Sequence, residues 1–84
     1  MGHIAGIGEV TDEAMMMTPR FWPLWPMLPI KKDSDVATLY ETTKGRGNIL
    51  FIPGVTIFAV SLSAIEAATI ADIPKLIAEG WIVD

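Results

Sequence analysis

The feature that most constrains this chain is the segment 21–30, FWPLWPMLPI, in which proline recurs at positions 23, 26 and 29 and every other residue is apolar or aromatic. Proline fixes φ and lacks a backbone N–H, so regularly spaced prolines disfavour an α-helix or a central β-strand. The spacing matches instead a polyproline II helix, which has three residues per turn. All three faces of that helix are apolar, so we expect another molecule to cover part of the segment.

The segment lies within the first 35 residues, which we interpret as an extended N-terminal arm, whereas residues 36–84 are predicted to form a small β-rich domain. A core of that size buries too little surface to be comfortably stable without disulfides, a metal or a partner. The chain has no cysteine and one histidine, and no clustered carboxylate loop. We therefore predict no metal and no cofactor, and we expect oligomerisation or docking on a partner.

Charge and hydropathy exclude other classes of protein. The net charge is −4 and 51% of the residues are hydrophobic, without a basic stripe. Direct nucleic-acid binding is disfavoured because neutralisation of phosphates supplies most of that affinity. The stretch 49–65 contains 17 residues without a charge. It reaches only the lower limit of a transmembrane span and contains Pro53 and Gly54 near its start, so a membrane span is also disfavoured.

The secondary-structure pattern predicts an α+β fold that is rich in β-structure. Thr11 or Asp12 is expected to cap one short helical turn through Met17, which Pro19 would stop. Residues 36–41 and 48–52 are predicted to form a β-hairpin around the glycines of the turn 43–47. Pro53-Gly54 is typical of a type II turn, and residues 55–60, or as far as 62, are predicted to form a third strand.

The C-terminal part contains one ambiguous stretch and one clear helix. Residues 63–71 fit either a helix, capped by Ser63 with Glu66 three residues later, or a strand continuation. The following helix begins at an Asp72 cap with proline in its first turn and ends at Gly80. Residues 81–83 are predicted to return to the sheet as an edge strand.

No motif predicts an enzyme. His3 has no serine or cysteine partner at a recognisable spacing, and the neighbouring carboxylates are scattered along the predicted arm. The glycines at positions 2, 6 and 8 do not follow a strand, so they do not indicate a dinucleotide loop. Residues 44–47, KGRG, lack the full phosphate-binding pattern and are interpreted as a solvated hairpin tip, whose two basic residues could contact an acidic neighbour.

The segment and the methionine run before it are therefore the candidate functional site, a partner interface. Tryptophan is strongly enriched at binding hot spots, and methionine adapts to irregular apolar partners. The alternative is that the segment folds back on its own small sheet. The predicted interface residues are Met15, Met16, Met17, Phe21, Trp22, Leu24, Trp25, Met27, Leu28 and Ile30.

The run 70–81, IADIPKLIAEGW, resembles the ending of many small virion proteins of tailed phages. In those proteins a β-hairpin module finishes with a short helix and a glycine-aromatic return. The resemblance implies a capsid decoration (cement) or head-to-tail protein of a phage-like particle. Its expected location is the virion, its expected partners are the major capsid protein or other virion subunits, and a homo-oligomer is expected. The Trp/Pro segment departs from a plain decoration module.

Two other functions fit the same sequence. The chain could be a small accessory subunit of a membrane complex, with residues 49–65 embedded and the tryptophans at the membrane interface. It could also be an adaptor that presents residues 20–30 to an SH3 or WW domain, although such ligands usually keep one polar face.

Overall fold

The computed structural model describes residues 11–43 and 47–84, and these residues form a five-stranded antiparallel sheet with short helices. The predicted mixed α+β class is confirmed. The strand order in the sheet is β4-β3-β2-β1-β5. The strands are β1 (Met27–Lys32), β2 (Asp35–Tyr40), β3 (Leu50–Pro53), β4 (Thr69–Ile70) and β5 (Ile82–Val83), and the helices are α1 (Asp12–Met17), α2 (Leu62–Glu66), α3 (Ile73–Glu79) and a 3-10 helix (Pro19–Phe21).

The predicted hairpin of residues 36–41 and 48–52 is present as β2 and β3. These strands pair antiparallel, with Leu39 opposite Phe51. Residues 44–46 of the connecting turn lie outside the described residues. Gly54 follows β3 with φ +80°, the left-handed conformation that a glycine at this position of a type II turn adopts without strain.

The predicted C-terminal helix is confirmed as α3. The Asp72 carboxylate accepts the Lys75 backbone N–H at 3.2 Å and caps the first turn. Gly80 ends the helix with φ +103°, and the Trp81 backbone N–H donates to the Leu76 carbonyl at 3.0 Å. This is the Schellman arrangement, which directs Trp81 back into the core. The predicted edge strand is β5, which pairs with β1.

The short N-terminal helical turn is also confirmed as α1. The Thr11 hydroxyl accepts the Ala14 backbone N–H at 3.1 Å, so Thr11 is the cap rather than Asp12. The Asp12 carboxylate instead accepts the Val83 backbone N–H at 3.2 Å and connects α1 to β5. Pro19 begins the 3-10 helix directly after α1.

The polyproline II prediction for residues 21–30 is wrong. The Trp25 N–H donates to the Trp22 carbonyl and the Met27 N–H to the Leu24 carbonyl, both at 3.1 Å, so tight turns follow the 3-10 helix. The Trp25–Pro26 peptide bond is cis. The remaining residues form β1, which lies inside the sheet between β2 and β5. The extended arm is therefore wrong for residues 11–35, and its first ten residues lie outside the described residues.

Pro29 fits into this internal strand because of the direction of its backbone. Its carbonyl accepts the Asp84 N–H at 3.0 Å, so the carbonyl faces the β5 side of β1. The nitrogen and carbonyl of one strand residue point the same way, so the missing N–H also faces β5. Regular β1–β5 pairing starts only at Ile30, and the pairing with β2 loses no hydrogen bond from this proline. The predicted domain boundary after residue 35 falls inside the β1–β2 hairpin.

The predicted third strand at 55–60 is also wrong. The place beside β3 is taken by β4, whose Thr69 lies opposite Phe51. After the turn the chain crosses the sheet instead. The Gly54 N–H donates to the Val36 carbonyl at 2.8 Å, and the Thr38 hydroxyl donates to the Val55 carbonyl at 3.0 Å. The ambiguous stretch 63–71 contains both candidates, since α2 ends at Glu66 and β4 follows, but Ser61 rather than Ser63 caps the helix.

The main core lies between one face of the sheet and the helices α1 and α3. Strand pairing places Leu28, Ile30, Ala37 and Leu39 on this inner face. Each is at most 2% exposed. The buried residues that complete the cluster come from the helices and turns, namely Met16, Trp22, Ile73, Leu76 and Trp81.

Candidate interaction surfaces

The ten predicted interface residues differ in how far the structure buries them. Met16, Trp22, Leu28 and Ile30 are at most 3% exposed and belong to the core of their own chain. These four of the predicted side chains are therefore not accessible to a partner in this fold. The segment folds back on its own sheet because a domain of this size gains much of its core from that apolar area.

The Trp22 side chain is buried and hydrogen-bonded within its own chain. The side chain is 3% exposed, and its indole N–H donates to the Met15 carbonyl at 2.7 Å. A buried indole N–H requires such a partner, and here the last turn of α1 supplies it. Met15 and Trp25 are partly buried and pack against the same core. The indole therefore fixes α1 against the turns that lead to β1.

Three of the predicted interface residues remain open to solvent. Met17, Phe21 and Leu24 are 54%, 56% and 52% exposed. They lie within eight consecutive residues at the end of α1 and in the turns that follow, and we call them the N-terminal apolar surface. The Arg20 guanidinium carbon lies 5.2 Å from the centre of the Phe21 ring, so one cation accompanies this surface.

The opposite face of the sheet, which we call the outer face, is also apolar. Met27, Tyr40, Leu50 and Ile70 lie opposite one another across four strands, so they form one row on this face. Met27, the one predicted interface residue in this row, is half-buried. Residues 55–60 cross the middle of the face, where Thr38 and Ile52 are buried beneath them. The cover is partial, because Ile70 at one edge is 65% exposed.

A groove lies between the crossing segment and strands β1 and β2. Its volume is about 280 Å³. Phe58 stands at its rim and is 94% exposed, and Leu62 at the start of α2 is 77% exposed. Neither residue is among the ten predicted interface residues. Both lie in the uncharged stretch 49–65, whose pattern predicts strands and, as an alternative, a membrane-embedded segment. The groove is lined by Pro29, Ile30, Val36, Ala37, Thr56, Ile57, Phe58 and Asp84.

Glu41 is a buried carboxylate, 2% exposed, at the end of β2. Its two oxygens accept the backbone N–H groups of Thr43 and Gly47, each at 2.9 Å, and the Thr43 hydroxyl donates to it as well. Charge-assisted bonds of this kind compensate the cost of burying the carboxylate. The geometry assigns Glu41 the role of holding both ends of the hairpin loop together. The possible contacts of Lys44 and Arg46 lie outside the described residues.

Two structural features bear on metal binding and on membrane insertion in residues 11–43 and 47–84. No group of three His, Cys, Asp or Glu side chains in these ranges could hold a metal ion. None of the helices described by the structure is long and apolar enough to cross a membrane. His3 and the glycines at positions 2, 6 and 8 lie outside the described residues.

Comparison with known proteins gives no relative to set beside this geometry. No protein-family model matches the chain, and neither a curated protein nor a solved structure matches it significantly.

Proposed function

We propose that this protein is a structural subunit of a phage-like particle, a capsid cement or decoration protein that binds neighbouring virion subunits through exposed apolar side chains. The observation that carries the proposal is the N-terminal apolar surface, in which three large side chains within eight residues are more than half exposed. The resemblance of residues 70–81 to the ending of small tailed-phage virion proteins supports the particle as the location. The major capsid protein is the proposed partner.

The mechanism differs from an arm laid into a neighbour. Trp22, Leu28 and Ile30 build the core that holds the surface in place, while Phe21 and Leu24 project from a segment fixed by successive turns. A surface that is already ordered loses little conformational entropy on binding. Burying each large apolar side chain contributes about 1.5–3 kcal/mol before association costs, so many copies around a shell add substantial stability.

The fold does not favour the alternative function, an adaptor that presents residues 20–30 to an SH3 or WW domain. It required residues 20–30 to present a polyproline II ligand, and these residues form turns and an internal strand instead. A proline-reading domain needs an accessible extended ligand, whereas β1 is hydrogen-bonded on both sides.

Fractionation of the source lysate on a density gradient tests the location. We expect mass spectrometry to find the chain in the particle fraction together with a major capsid protein. Its presence only among free soluble proteins would refute the proposal.

The double variant Phe21→Ser, Leu24→Ser tests the surface in the same fractionation. We expect at least a tenfold loss from the particle fraction, because two exposed apolar contacts are removed without changing the core. Leu62→Ser is the matched control, since Leu62 is also an exposed leucine but lies at the start of α2. Equal retention of the double variant and the wild type would contradict the assignment of this surface.

A further inference from the structure

Phe58 is the least buried large apolar residue in the part of the chain that the structure describes. It is 94% exposed, whereas Phe21 on the N-terminal apolar surface is 56% exposed. A single exposed apolar residue needs no explanation, but Phe58 stands at the rim of an apolar groove. Knob and groove thus occur side by side on the outer face.

The groove has the size and chemistry of a receptor for one apolar side chain. Its volume of about 280 Å³ is just below the roughly 300–1,000 Å³ typical of small-molecule pockets. Pro29, Val36 and Ile57 provide apolar walls. The one carboxylate, Asp84, is already paired with the Lys31 ammonium at 3.5 Å. Most of the lining is apolar, and an aromatic ring suits the groove.

We propose that the occupant is a second copy of this chain, and that two copies pair around a two-fold axis so that each Phe58 enters the groove of the other. The inference deepens the proposed function, on which it rests for the claim that the chain works in an assembly, because it names one of the neighbouring subunits.

The arrangement of the outer face favours a symmetric pair. A two-fold interface brings the same patch of both subunits together, so a knob beside a groove is satisfied twice by one contact surface. Residues 49–65 carry no charge. Two copies with net charge −4 can therefore meet at this patch without bringing charged side chains of the stretch into contact. The same charge balance disfavours a nucleic acid as the occupant.

A dimer through this face needs more contact area than Phe58 alone supplies. A specific interface buries about 800 Å² on each partner. An aromatic side chain buries about 150–250 Å², and Phe58 is almost fully available for that. The remaining area would come from the row of apolar side chains on the same face of the sheet, in which Ile70 is 65% exposed and Met27, Tyr40 and Leu50 are half-buried. A chain of 84 residues also gains from the additional core that pairing provides.

Sedimentation velocity of the purified full chain, at concentrations from about 1 µM to 1 mM, tests the inference. We expect a monomer–dimer equilibrium that Phe58→Ser shifts toward monomer by about 100-fold or more in Kd, because each dimer loses two buried aromatic contacts. Thr56→Glu, which places a charge on an exposed groove residue, is expected to have an effect in the same direction. Both substitutions are at exposed positions, so far-UV circular dichroism is expected to show an unchanged fold.

Phe21→Ser is the matched control, since it removes an exposed phenylalanine from the other apolar surface, and it is expected to leave the dimer unchanged. A wild-type chain that stays monomeric to 1 mM overturns the inference. So does a Phe58→Ser dimer of unchanged Kd, or a dimer that Phe21→Ser disrupts as strongly. A monomeric chain that still fractionates with particles refutes only this pairing, whereas a dimer absent from particles refutes only the proposed function.

Discussion

Trp22→Ala separates a tryptophan that builds the core from one that anchors a partner. In the folded chain Trp22 is 3% exposed and belongs to the cluster under the sheet. Truncation of a buried tryptophan to alanine costs about 3–5 kcal/mol, because transfer energy is lost and a cavity remains. It also removes the indole N–H that donates to the Met15 carbonyl at 2.7 Å.

That cost is large compared with the stability of the whole domain. A chain of 84 residues is expected to have a free energy of unfolding of about 4–13 kcal/mol, from 0.05–0.15 kcal/mol per residue. Since 1 kcal/mol corresponds to about 4–8 °C in a domain of this size, Trp22→Ala is expected to lower Tm by about 12–40 °C. Trp22→Phe keeps a large ring and loses the hydrogen bond, so its expected cost is about 1–2 kcal/mol.

Urea unfolding followed by far-UV circular dichroism measures these differences without relying on tryptophan fluorescence. Phe21→Ala is the control, because Phe21 is the adjacent aromatic residue and is 56% exposed. Its expected cost is below about 1 kcal/mol, in line with other surface substitutions. If Trp22→Ala cost no more than Phe21→Ala while abolishing binding to a partner, the packing described for Trp22 would be refuted.

Three further substitutions test individual contacts. Glu41→Gln is expected to cost about 1–3 kcal/mol, because the amide has one acceptor oxygen and its NH₂ must face a donor that a carboxylate oxygen now accepts; hydrogen exchange at Thr43 or Gly47 should accelerate, and unchanged exchange at both would contradict the role of Glu41. Gly80→Ala is expected to cost about 1 kcal/mol in urea unfolding, because its φ is +103°, and no loss would argue against the left-handed helix end. Thr38→Val is expected to cost about 1 kcal/mol in the same assay through the lost bond to the Val55 carbonyl, and a neutral result would mean that this bond does not hold the crossing segment.

The predicted interface residues show that a sequence pattern does not tell a buried apolar side chain from an exposed one. The ten predicted interface residues were chosen for apolar character, and that character does not distinguish a core residue from a binding residue. Met16 and Met17 are adjacent and identical, yet one is fully buried and the other is 54% exposed. Their positions on α1 and the packing of α1 against α3 and β5 decide which one a partner can reach. The exposure of Phe58 does not follow from the sequence, because the pattern of residues 55–60 predicts a paired strand.

The local features of this protein follow from its amino-acid sequence alone. Thr11, Asp72 and Gly80 define helix ends through hydrogen bonds and dihedral angles within a few residues, and the β2–β3 hairpin joins neighbouring strands. The path of the two apolar stretches, 21–30 and 49–65, depends on tertiary contacts, because neither contains a periodic polar residue that specifies a face. The first became the turns and the internal strand β1, since pairing with β2 and β5 satisfied its backbone and buried Leu28 and Ile30. The second left Phe58 in solvent, since β4 took the place beside β3.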